Sequence, residues 1–97
     1  MANPTFPEAI HLIARGLREQ APSHAHLNGA AARIDHLGRL LHGLGCVRDR
    51  EIAHCFTAAI AELDLSHGLA EDARGEAVGR AAGQLEAALV HAEEGVR

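Results

Sequence analysis

Glu8-Ala9-Ile10-His11 and Glu51-Ile52-Ala53-His54 each set a carboxylate three residues before an imidazole. On a helix that spacing brings the two groups to one side. Di-iron four-helix bundles build their centres from two such pairs and two further carboxylates, all pointing inward. Orientation tests the match. Counting about 100° per residue, Glu8 and His11 lie roughly 130 to 170° from the face of Phe6, Ile10, Ile13 and Leu17. Glu51 and His54 lie roughly 135 to 165° from the face of Ile52, Phe56 and Leu63. Both pairs are expected to point away from the core, and the second helix adds only Asp35 as a carboxylate. A buried di-iron centre does not follow.

His42, Cys46, His54 and Cys55 form the stronger metal candidate, because imidazole and thiolate are natural ligands of zinc and copper. All four fall around one helix-turn-helix corner. Cys55, however, stands about 9 Å up its helix from the start, at 1.5 Å per residue, whereas His42 sits near the end of the preceding helix. Gly43 and Gly45 also unwind the spacing between His42 and Cys46. The plain alternative is one partly buried cysteine and one loop thiol. His24 and His26 form an H-x-H before the second helix, with no third ligand nearby.

His36 opens the stretch "HLGRL" and points away from the leucines of its own helix, with Arg39 and Gly43 on its side. The stretch loosely resembles the motif of histidine phosphotransfer domains, His-x-x-Lys-Gly, with Arg39 for the lysine and Leu40 for the glycine. The resemblance covers about five residues. It implies an exposed phosphoryl-accepting His36 with Arg39 as the cation that holds the phosphoryl group. The sequence has no glycine-rich phosphate loop and no nucleophile elbow. An enzyme is not indicated.

The elements that must position these groups are helical. Thr5-Phe6-Pro7-Glu8 has the spacing of a capping box with a proline in the first turn, and apolar residues recur to Leu17. The first helix is predicted over about 6–20. Leu27, Ala30, Ile34, Leu37, Leu41 and Leu44 step by three and four, the seam of a helix packed along its length. Ser23 is its expected N-cap, with a late start at Asn28-Gly29 as the alternative. Asp49 caps a third helix that runs to about Leu65. Gly68 is expected to end it in a left-handed conformation. A fourth, over about 70–94, turns Val78, Ala81, Ala82, Leu85, Leu89 and Ala92 inward. It also carries Gly75, Gly79 and Gly83 at spacing four, at a cost near 1 kcal/mol each relative to alanine. Either a partner helix approaches that flank or packing elsewhere compensates.

No stretch alternates as a strand would. The expected architecture is a single all-α domain over 1–97, a small antiparallel four-helix bundle. The alternative merges the last two helices into one long bent helix. Of the 47% hydrophobic residues, twenty are alanine, and only about a quarter of the chain is Leu, Ile, Val or Phe. So thin a core makes self-association an expectation. Two phenylalanines are the only aromatics, and the net charge is −4 with no basic stripe. Nucleic-acid binding is therefore not expected.

The start "MANPTFPEAIHLIARG" shows neither a signal sequence nor a membrane span. A cytoplasmic protein is expected, with its two cysteines reduced. The eight histidines make association pH-dependent, because their ordinary pKa near 6.5 lets mild acid reverse the net charge. The leading expectation is a non-enzymatic helical protein-protein interaction module, an adaptor, chaperone or accessory subunit acting as a homo-oligomer without a cofactor. It would use Leu27, Ile34, Leu37, Leu41, Leu44, Gly75, Gly79 and Gly83 for contact. The rivals are a bundle whose histidines hold zinc, copper or haem, and a phosphotransfer module.

Overall fold

The computed structural model describes residues 5–19, 24–41 and 49–95. They form four helices: α1 (Phe6–Glu19), α2 (His24–Leu40), α3 (Asp49–Ser66) and α4 (Glu71–Gly95). No strand occurs among the described residues. Helices α3 and α4 are separate, so the long bent C-terminal helix is not formed.

The start of α1 follows from its capping box. The Thr5 backbone N–H donates to Glu8 Oε2 at 3.4 Å, and the Glu8 N–H donates to Thr5 Oγ1 at 3.3 Å. Two backbone donors that lack a partner inside the helix are satisfied reciprocally. Helix α2 is already running at His24, so the later start at Asn28 is not used. Ser23, Gly43, Gly45 and Leu44 lie outside the described residues.

Helix α3 ends differently from the expectation for Gly68. The backbone N–H groups of His67, Gly68 and Leu69 each donate three residues back, at 3.4, 3.2 and 3.2 Å, and Gly68 does not adopt the left-handed conformation. Arg74 on α4 then takes over the capping. Its Nε donates to Ser66 O at 3.3 Å and its Nη2 to Leu69 O at 3.2 Å. A guanidinium placed on terminal carbonyls satisfies acceptors and opposes the helix dipole. Ser66 itself is fully buried, with its hydroxyl donating to Leu63 O at 2.6 Å.

One core joins all four helices. Ile10, Ile13 and Leu17 of α1 meet Leu27, Ile34, Leu37 and Leu41 of the second segment. Ile52, Phe56, Ala59 and Leu63 of α3 meet Val78, Ala81, Ala82, Leu85, Ala88 and Ala92 of α4. Leu89 is only half-buried, with Ala88 in the interior place instead. Phe6 and Phe56 close one end of the core, ring centroids 6.1 Å apart and tilted by 54°.

Side-chain size sets how the helices sit. The inward face of α4 is mostly alanine, which lets its backbone come close to neighbours, and α4 packs extensively on α3 and α1. The inward face of α2 is leucine and isoleucine, and α2 meets α1 and α3 over a smaller stretch. Grooves remain on both sides of α2. The molecule measures 41 × 30 × 18 Å, and α4, about 37 Å long at 1.5 Å per residue, accounts for its long dimension.

Candidate functional site

A groove of about 400 Å³ lies between α1 and α2. Ala9, Leu12 and Ile13 of α1 and Ala32 and Leu37 of α2 make it almost wholly apolar. Arg33 and His36 supply its polar rim. The helical repeat explains the arrangement. Ile13 and Leu37 belong to the inward faces and form the floor, while Leu12, next to Ile13, and Ala32, midway between Ala30 and Ile34, are exposed and form the lips. Leu12 is 56% exposed, and Leu40, 49% exposed, continues the α2 lip one turn on from His36. Two large apolar side chains thus stand in solvent around one groove.

His36 and Arg39 line different depressions. His36 lines the α1–α2 groove, whereas Arg39 lines a smaller depression between α2 and α3 with Asp35, Gly38 and Phe56. The Arg39 guanidinium is taken up by Asp35 at 3.1 Å.

The metal candidates are dispersed. His54 is exposed and Cys55 is buried at 6% exposure, as adjacent positions about 100° apart on a helix require. Burial pushes the Cys55 thiol above its ordinary value, which disfavours the thiolate that a metal needs. His42 and Cys46 lie outside the described residues. Among the described residues no three His, Cys, Asp or Glu side chains gather as a metal site. The pairs Glu8 and His11, and Glu51 and His54, all face outward as the angular projection predicts.

His24 and His26 are corrected in one respect. Both lie in the first turn of α2, not in a turn before it. His26 packs half-buried beside Gly16 of α1, where an added Cβ would meet its Cε1 at 3.8 Å.

The candidate contact residues divide. Leu27, Ile34, Leu37 and Leu41 are buried against this chain's own helices, so the seam is used internally. Gly75 is exposed and Gly79 and Gly83 half-buried, and a Cβ added to any of them would meet nothing within 4 Å. Among the described residues no helix approaches that flank. Leu12, Ala32, Arg33 and Leu40 are the residues that periodicity overlooked. For Leu12 and Leu40 the available signal was a large apolar side chain one step off its helix's inward face, next to Ile13 and Leu41; Ala32 and Arg33 carried no such signal.

No described helix is long and apolar enough to cross a membrane. Compared with protein-family models, curated proteins and solved structures, the chain matches none.

Proposed function

We propose that this chain is a non-enzymatic helical interaction module that acts as a homo-oligomer in the cytoplasm, in the manner of an adaptor, chaperone or accessory subunit. The observation that carries the proposal is the apolar groove between α1 and α2, with Leu12 more than half exposed on its lip. Contiguous apolar surface of this kind marks sites of association. Catalysis would require convergent polar groups, and the groove offers only Arg33 and His36.

An antiparallel order of helices is supported by contacts at three helix boundaries. Arg18 near the end of α1 reaches Glu86, whereas Pro7 and Glu8 at its start lie beside Leu89 and Glu93 further along α4. Glu62 late in α3 meets Arg80 in the first half of α4. Gly16, late in α1, sits by His26 at the start of α2.

Light scattering and metal analysis on one tag-free sample test the proposal. A mass of two or more protomers with no bound metal is the expected result. A monomer at all concentrations, or a stoichiometric metal, would overturn it.

A further inference from the structure

The four helices are not held to one another equally. Among the described residues, α4 runs close to both α1 and α3, whereas α2 comes close to each of those two over a shorter stretch and to α4 nowhere. Polar side chains follow the same division. Arg18 of α1 pairs with Glu86 of α4, Arg80 of α4 pairs with Glu62 of α3, and Arg74 of α4 caps the end of α3. On α2, Arg39 is paired within its own helix, with Asp35. Lifting α2 away leaves the extensive contacts of α4 with both its neighbours in place. We propose that α2 is a strap that opens as a unit from a three-helix body of α1, α3 and α4, in a step separate from global unfolding and preceding it.

Depressions of about 400 and 210 Å³ flank α2, the first toward α1 and the second toward α3. What closes the strap is its apolar seam, in which Leu27 and Ile34 are fully buried. The helix itself adds little. Gly29 stands exposed in its interior with open space about it, Gly38 follows further along, and no acidic residue occupies the first turn to favour the helix dipole. Helices of this length draw most of their stability from packing of the apolar face, so α2 melts once that face leaves the bundle. Opening and unfolding of α2 are one event.

Contiguous segments open in this way at free energies below the global value. The step uncovers apolar surface on both neighbours. Ile13 of α1 shares one depression with Leu37, and Phe56 of α3 shares the other with Ile34 and Gly38. Both lose their cover when α2 leaves.

Native-state hydrogen exchange of the full chain, followed amide by amide at increasing urea below the unfolding transition, tests the strap. Amides in the interior of α2, residues 30–40, are expected to be protected about tenfold or more weakly than the slowest amides of α1, α3 and α4, with a weaker dependence on urea. Two substitutions in open space separate local from global opening. Gly79→Ala stabilises α4 in the closed and the α2-open states alike, so it should slow the slowest α3 and α4 amides roughly threefold to fivefold and leave α2 unchanged. Gly29→Ala should slow the α2 amides by a similar factor, because that helix melts in the open state. Four results would each overturn the proposal: α2 sharing the protection and urea dependence of α3 and α4, Gly79→Ala slowing α2 as much as the rest, Gly29→Ala leaving α2 unchanged, or α1 exchanging together with α2 as one unit.

Discussion

Arg18 and Glu86 form a two-bonded ion pair across the α1–α4 boundary, with Arg18 Nε 3.0 Å from Glu86 Oε2 and Nη2 2.5 Å from Oε1. The fork geometry of guanidinium and carboxylate makes this the best-defined surface pair. The hydrogen bonds from Arg18 hold the Glu86 carboxyl below its ordinary value, partial burial opposes them, and the nearby charges of Arg18 and His11 lower it further.

Linkage gives the sign for Glu86. A depressed carboxyl binds fewer protons in the folded state, so its contribution is present above the ordinary carboxyl value of 4.5 and is lost as pH falls through the lower folded value. Glu86→Gln is expected to lower thermal stability slightly at neutral pH, because both side chains are about half exposed and water screens them. The gap from wild type should close as pH falls well below 4.5, and in 1 M salt. Melting curves in which the gap is unchanged by both would show that the ion pair is not its source.

The glycine flank of α4 provides a second test. Gly79→Ala and Gly83→Ala are each expected to stabilise the protein by about 0.5 to 1 kcal/mol, because alanine costs less helix entropy. Open space at both positions accepts the methyl group. Urea unfolding measures the gain. A loss of association in these variants would reveal a partner helix lying on this flank.

Arg74 is expected to matter more than an ordinary surface arginine. Its guanidinium spans the carbonyls of Ser66 and Leu69 where α3 ends, so Arg74→Ala should cost about 1 to 2 kcal/mol. Arg74→Lys should recover little, since an ammonium lacks the fork that bridges two acceptors. Hydrogen exchange at residues 66–69 should quicken in both variants. Full recovery by lysine would reduce the role of Arg74 to charge alone.

Cys55 should be chemically silent in the folded protein. In a Cys46→Ala background, where it is the sole thiol, a disulfide reagent should react slowly in buffer and fast in urea, in step with loss of helix. Burial supplies both causes, by covering the sulfur and by pushing the thiol above its ordinary value. Rapid labelling under native conditions would contradict its placement.

Much of the architecture is legible from local patterns. The spacing from Phe6 to Leu17, the steps from Leu27 to Leu41 and the capping box at Thr5 and Glu8 act within one helix, and each appears in the structure within a residue or so of its predicted place. Periodicity also placed Glu8, His11, Glu51 and His54 outward, because 3.6 residues per turn assigns a direction to every side chain once the core face is known. The composition, rich in alanine and poor in larger apolar residues, foretold a thin core.

Distances between helices belong to tertiary structure alone. That α4 sits close and α2 stands further off depends on alanine meeting one neighbour and leucine another, a sum over pairs that no single helix encodes. The groove beside Leu12 exists only because of that difference. In the same way Arg18 finds Glu86 sixty-eight positions away, and Arg74 turns back to cap α3 where the expected left-handed Gly68 does not. Helix direction is local chemistry; the spaces between helices are decided by the side chains that meet there.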